Sequence, residues 1–168
     1  MSTPNASLSA AVEFTLGLAK SHGCTLATVE SCTAGALAAL PADAPGASDL
    51  FHGGFVVYTK ANKTAAVGVA PELINTHTAV SREVVLAMAG GALDERCPAD
   101  IVLAVSGVAG PDPDEDGNPV GLLHVATMSR KGVTRHLERR HGPGSKQDIC
   151  QAAMLLALSL ADDLIKNA

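Results

Sequence analysis

The run Ile101-Val102-Leu103-Ala104-Val105 constrains the fold more than any other segment of the chain. Five consecutive apolar residues are too few for a buried helix. They also lack the polar alternation of a strand with one wet face, so they read as a central strand covered on both sides. A strand of that kind needs helices above and below it, and the chain supplies them. Leu8 to Ala19 places Val12, Leu16 and Ala19 at helical spacing before Gly23 breaks the pattern. Ser81 reads as a cap before the stripe Val84, Val85, Met88, Ala89, Ala92 and Leu93, a helix expected to reach about Cys97, and Gln147 to Ile165 is an Ala/Leu helix.

Further strands are expected at Thr25 to Val29 and at Gly54 to Tyr58, with a hairpin of Val120 to Met128 and Val133 to Arg139 around Lys131-Gly132. Thr33 to Leu40 reads as a helix, and Asn62 to Val67 and Pro71 to Asn75 as short helical pieces. Strands interleaved with helices, plus one hairpin, predict an α/β fold: a three-layer α/β/α sandwich on a mixed sheet, with residues 1–168 as a single domain. At 168 residues the chain can bury a core without disulfides or a structural metal. That core must come from 29 Ala, 19 Leu and 15 Val, because only 2% of the residues are aromatic.

The same scarcity of rings argues against stacking single-stranded nucleic acid, and a net charge of −5 argues against a general phosphate-backbone binder. Neither a nucleic-acid partner nor a membrane partner is expected, since no apolar run reaches about 18 residues. Cys24, Cys32, Cys97 and Cys150 form no C-x-x-C pair, and the first residues lack the pattern of a signal peptide, so a reducing, cytoplasmic setting is expected. The six histidines have no metal-ligand spacing, and no metal or cofactor is expected. Asp112-Pro113-Asp114-Glu115-Asp116-Gly117 imitates half of an EF-hand loop but has Leu123 where a bidentate Glu is required, so it reads as a solvated rim loop.

In α/β sandwiches, ligands bind where the carboxyl ends of strands meet loops. That selects Glu30-Ser31-Cys32-Thr33, Tyr58 to Lys63, and Ser106 to Pro111. Ser31 stands at a strand-to-helix turn, where it serves either as a helix cap or as a nucleophile with N–H groups nearby for an oxyanion. Cys32 is the rival nucleophile or a buried small apolar residue. Lys60 and Lys63 are either solvated charges or candidate bases, and Tyr58 is either a rim residue or a proton relay. Gly107-Val108-Ala109-Gly110 is a turn or an anion-binding loop. The chain has no G-x-G-x-x-G opening and no Gly-Lys-Ser/Thr, so it is read neither as a dinucleotide oxidoreductase nor as a P-loop protein.

Taken together, Thr28-Val29-Glu30-Ser31-Cys32-Thr33-Ala34-Gly35, Pro45-Gly46-Ala47-Ser48, Gly53-Gly54-Phe55-Val56-Val57-Tyr58, Ala79-Val80-Ser81, Ser106-Gly107-Val108-Ala109-Gly110-Pro111 and Asn118-Pro119-Val120-Gly121 resemble, in this order, the CinA C-terminal domain family, the nicotinamide mononucleotide deamidases. The resemblance implies metal-independent hydrolysis of the nicotinamide carboxamide to a carboxylate and ammonia by a serine, a lysine and a tyrosine. Ser31, Lys63 and Tyr58 match those positions. Lys60 matches a position that is usually not lysine and is the candidate charge for depressing the pKa of Lys63. Glu30, Cys32, Thr33, Lys60, Ser106, Gly107, Ala109 and Gly110 are expected around the substrate, a pyridine mononucleotide, with Thr33 and the backbone after Ser31 at the oxyanion.

Two departures from the family pattern stand out. Ala34-Gly35 replaces a double glycine, a change expected to tighten the start of the helix. Gly144-Ser145-Lys146-Gln147-Asp148-Ile149-Cys150 replaces a Gly-Asp-Arg-x-x-x-Arg stretch, leaving Lys146 as a point charge for a phosphate and putting substrate identity in doubt. Two alternatives stay open: another small amide as substrate, and a non-catalytic nucleotide-binding or partner domain. The Ala-rich surface suggests a homo-oligomer.

Overall fold

The computed structural model describes residues 6–94 and 97–167. Its centre is β3 (Ile101–Gly107), whose residues are buried as far as Ser106. Parallel to it runs β1 (Leu26–Glu30), buried throughout, and parallel to β1 on the outer side runs β2 (Phe51–Val56). On the other flank β4 (Leu122–Ser129) and β5 (Thr134–Arg140) form an antiparallel hairpin, giving the mixed order β2-β1-β3-β4-β5. The expected sandwich on a mixed sheet is therefore the fold found.

Alternation along β3 divides the core in two. Ile101, Leu103 and Val105 pack with α1 (Ala6–His22), α2 (Ala36–Ala42) and α6 (Lys146–Lys166), through residues such as Leu16, Leu37 and Leu158. Val102 and Ala104 face the opposite layer, where Val67 of α3 (Lys60–Val67), Ile74 of α4 (Pro71–His77) and Val84, Val85 and Met88 of α5 (Arg82–Ala92) close the second core. Small side chains let these layers approach closely. A Cβ on Gly91 in α5 would overlap the Val67 carbonyl at the end of α3, so that position must be glycine for the two helices to pack.

Three boundaries differ most from expectation: β2 runs Phe51–Val56 rather than Gly54 to Tyr58, which leaves Tyr58 beyond the strand, and two helices shift. α5 stops at Ala92 rather than near Cys97; Cys97 N donates to Asp94 O outside the helix, while residues 95 and 96 lie outside the described residues. α2 begins at Ala36, not Thr33, because Ala34 and Gly35 both take positive φ, 51° and 96°, and hold the chain in a turn before the helix can start. Ala34 therefore does not tighten the helix start; it occupies a left-handed conformation that glycine adopts without strain. No helix among the described residues is long and apolar enough to cross a membrane.

Candidate active site

The carboxyl ends of the three parallel strands lie side by side, with Glu30 opposite Val105 on one side and Val56 on the other. Each strand hands its chain to the same opening. Past β1, Ser31 N donates to Val105 O at 3.0 Å, which fixes the serine backbone against the central strand. Past β2, Val57 N donates to Glu30 O at 2.7 Å, and the buried Val57 leads into α3. Thr59 caps α3 by accepting from Asn62 N, and Asn62 Nδ2 donates to Val56 O at 2.8 Å, tying the helix start back to the strand.

One helical turn after Thr59, the side chain of Lys63 runs inward. It is 2% exposed, and its Nζ lies 2.9 Å from Ser31 Oγ and 3.0 Å from the Val57 carbonyl oxygen. Burial pulls the Lys63 ammonium down to about pKa 8, with no carboxylate among the described residues in contact to hold the charge. As an ammonium, Nζ donates to both oxygens. As an amine, it keeps its bond to Val57 O and presents a lone pair to the serine hydroxyl. That is the arrangement a lysine needs to serve as a base for a serine.

The cavity over this pair has a volume of about 500 Å³. Ser31, Cys32, Lys63, Val80, Tyr58 and the loop 107–110 form its floor and near walls, so the expected Cys32, Lys60, Gly107, Ala109 and Gly110 all border it. Gly107 is there for lack of a side chain: a Cβ would run into Leu123 and the Leu122 carbonyl. Cys32 is buried and its thiol is pushed up to about pKa 12 by that burial, which leaves it protonated and a poor rival to Ser31. Tyr58 stands at the rim, 58% exposed, and its hydroxyl bonds to neither Ser31 nor Lys63.

Several expected contacts are not made. Glu30 is fully buried beneath the site, and its carboxylate accepts from the hydroxyls of Thr28 and Thr33 and from the N–H groups of Gly35, Leu37 and Ala38. It caps α2 from below and does not reach the cavity, and it takes Thr33 Oγ1 and the first donors of the helix with it. The helix start is thus spent on a protein carboxylate rather than an oxyanion. The N–H groups directly after the serine, on Cys32 and Thr33, donate to no other group among the described residues and are the remaining donors of that turn. Ser106 is buried and donates to Ala79 O at 3.0 Å, supporting the floor from outside the cavity. Lys146 opens α6 on the surface and does not border the cavity.

Lys60 differs most from expectation. It does not face Lys63 as a depressing charge. Its Nζ pairs with Asp116 at 2.6 Å and Glu115 at 3.0 Å, and these bonds, Asp116 first, raise its pKa. Asp116 also accepts from Ala79 N, Asp114 accepts from the N–H groups of Asp116 and Asn118, and Asn118 Nδ2 donates to Thr78 Oγ1. The acidic segment is largely exposed, as its composition suggested, but it is also braced, and Asp112, Asp114 and Glu115 line the cavity. The sequence signal was a lysine and two acids 55 and 56 residues apart, which local spacing cannot connect.

Comparison with known proteins agrees with this architecture. The CinA C-terminal domain profile matches residues 8–165. A CinA-like protein of Mycobacterium avium is 40% identical over 149 residues, covering 87% of this chain and 34% of the relative, and one from Parasynechococcus marenigrum is 42% identical over 137 residues, covering 80% of this chain and 32% of the relative. The chain thus spans about a third of the length of the curated relatives it matches. Among solved structures, the competence/damage inducible protein CihA from Agrobacterium tumefaciens superposes with a TM-score of 0.89 at 36% identity, covering 95% of this chain and 96% of that one. A CinA superfamily protein from Escherichia coli superposes with a TM-score of 0.83 at 29% identity, over 98% and 94% of the two chains. With the profile running from the first helix to the last, and with the strand ends and their loops in the order that the sequence motifs required, this chain belongs to the CinA C-terminal domain family.

Proposed function

We propose that this domain is a serine amidohydrolase that converts the carboxamide of nicotinamide mononucleotide to the carboxylate and ammonia. The observation that carries the reading is the buried Lys63 Nζ, 2.9 Å from Ser31 Oγ and held near pKa 8, on the floor of an open cavity. A cavity of about 500 Å³ is of the size that takes a mononucleotide.

In the proposed sequence, neutral Lys63 takes the Ser31 proton as Oγ attacks the carboxamide carbon. The oxyanion is met by the free N–H groups of Cys32 and Thr33. Lys63 returns the proton to the departing nitrogen, ammonia leaves, and water, deprotonated by the same lysine, releases the acid from the ester on Ser31. Tyr58, on the rim with an unengaged hydroxyl, meets the substrate from the solvent side. Ammonia release from nicotinamide mononucleotide by the purified protein, alongside Ser31→Ala, tests this. The alanine variant is expected to fall by about a thousandfold or more, and full activity in it removes Ser31 from the reaction.

A further inference from the structure

Outside the cavity, two imidazoles meet on neighbouring strands. His124 of β4 and His136 of β5 stack with ring centroids 5.3 Å apart and an interplanar angle of 23°, and His124 Nδ1 lies 3.1 Å from His136 Nε2. Both lie on the face of the sheet that α5 covers. His124 stands opposite Ser106 on β3 and Glu138 on β5, and His136 stands opposite Ala126, which belongs to the second core. His124 is buried, with its Nε2 4.0 Å from Glu138. The charges that face the pair come from several elements. Glu138 acts from β5, with Arg140 3.6 Å behind it, and Arg82 and Glu83 act from the first turn of α5. His77, at the end of α4, is 3.7 Å from Glu83 and reaches the pair through it.

This contact limits how many protons the pair can carry. A ring nitrogen donates when it bears a proton and accepts when it is bare, so the bond from one ring to the other needs one of its two nitrogens bare. Two neutral rings meet that condition, and so does a pair with one added proton: a charged His124 donates from Nδ1 to His136 and turns its Nε2–H toward Glu138. With a second added proton both facing nitrogens carry hydrogen and both rings are cations, so the bond is lost as repulsion appears. Burial, above all, holds both rings below the ordinary histidine value. The charges of His124 and Arg82 push His136 further the same way, while Glu138 and Glu83 oppose the shift.

We propose that His124 and His136 form an acid-released latch: with at most one added proton they fasten the edge strand β5 beneath the start of α5, and a second proton parts the rings and loosens that corner of the fold. The corner adjoins the cavity. Ser106, opposite His124, donates to Ala79 O, and Ala79 and Val80 line the cavity just before Ser81 caps α5. Acid thus reaches the cavity floor by a route separate from the titration of Lys63, and the latch holds whether or not Ser31 acts on an amide. Its sign follows from the lowered histidine values. As the pH falls through 6.5, the unfolded chain takes up protons that the paired rings refuse, so the stability from the pair is complete above that value and is lost below it.

The test is a titration of the full chain, with histidine ring nitrogens labelled for NMR, from about pH 8 to about pH 5, above the range in which ordinary carboxylates protonate. The two rings are expected to titrate in steps about one pH unit or more apart. Across the second step, the protection of amides in β5 and in the first turn of α5 against hydrogen exchange should fall about tenfold. His136→Gln offers His124 either a donor or an acceptor in any protonation state. It is expected to remove the second step, and its thermal midpoint should fall by about 3 °C less than the parent's between about pH 7.5 and 5.5. Two independent titrations near 6.5 overturn the latch. So does protection that stays constant across the second step, or a variant midpoint that falls as steeply as the parent's. The parent titration decides alone if the variant does not fold.

Discussion

Two lysines three residues apart on α3 have opposite fates. Lys63 turns into the protein, where burial favours the amine and pulls its pKa to about 8. Lys60, on the first turn of the same helix, turns outward to Asp116 and Glu115, which favour the ammonium and raise its pKa. The lesson is that the working difference between identical side chains lies in what replaces water around them: a serine hydroxyl and a carbonyl in one case, two carboxylates in the other. In the proposed reaction one side chain serves as the base, while the other straps the cavity wall through Asp116 and Glu115.

The largest expected effect comes from abolishing the buried half of the comparison. Lys63→Met should lower ammonia release by a factor on the order of a thousand, the loss expected when a positioned base is removed. The same variant should be no less stable than the parent at neutral pH. A shift from 10.5 to about 8 means that keeping this lysine charged in the fold costs roughly 3 kcal/mol. Part of the relief is returned by leaving the Val57 carbonyl without its donor, about 1 kcal/mol. Thermal unfolding of the two proteins checks this, and a variant that is both inactive and strongly destabilised would recast Lys63 as a structural residue.

The next largest effect concerns the support beneath the serine. Glu30→Gln replaces a carboxylate that accepts from two hydroxyls and three N–H groups with an amide that presents its own donors to some of them. A loss of about 3 kcal/mol is expected, read from denaturant unfolding. An unchanged midpoint would show that the start of α2 does not depend on the charge.

Lysine titration gives a pH dependence with a definite sign. The Lys63 pKa is lower in the fold than in the unfolded chain, so between about pH 8 and 10.5 the unfolded state holds more protons and the stability from this group rises with pH. Activity should rise through the lower end of the same window as the amine forms. A profile of kcat/KM against pH that is flat from 6 to 10 would deny the lysine its role.

The exposed half should matter least to stability. Lys60→Met loses surface ion pairs worth under about 1 kcal/mol. Its effect should appear as a loosened acidic loop, visible as faster amide exchange at Asp116 and Asn118. Ala34→Gly should be neutral to stabilising by about 1 kcal/mol, since it relieves a left-handed alanine while adding freedom to the unfolded chain.

Much of this was legible from local pattern. The continuous apolar run at Ile101 and the turn residues after each parallel strand were enough to bring the segments of Ser31, Lys63 and Gly107 to the carboxyl ends of the strands, but only the family resemblance set Lys63 above Lys60. Glu30 misled because its position beside Ser31 suggested substrate contact, whereas strand alternation sends its side chain beneath the turn, into the donors of the coming helix. The acidic loop is solvated, as its charges suggested, but its bonds also go to Lys60, Thr78 and Ala79, residues far away in sequence that only the completed fold brings within reach.

The claim that Lys63 is the base and Lys60 the strap is tested most directly by titrating both amino groups in one sample, with lysine side chains labelled for NMR. The account predicts a Lys63 midpoint near 8, displaced in Ser31→Ala, and a Lys60 midpoint above the ordinary lysine value of 10.5. A Lys63 midpoint at or above 10.5 would contradict it.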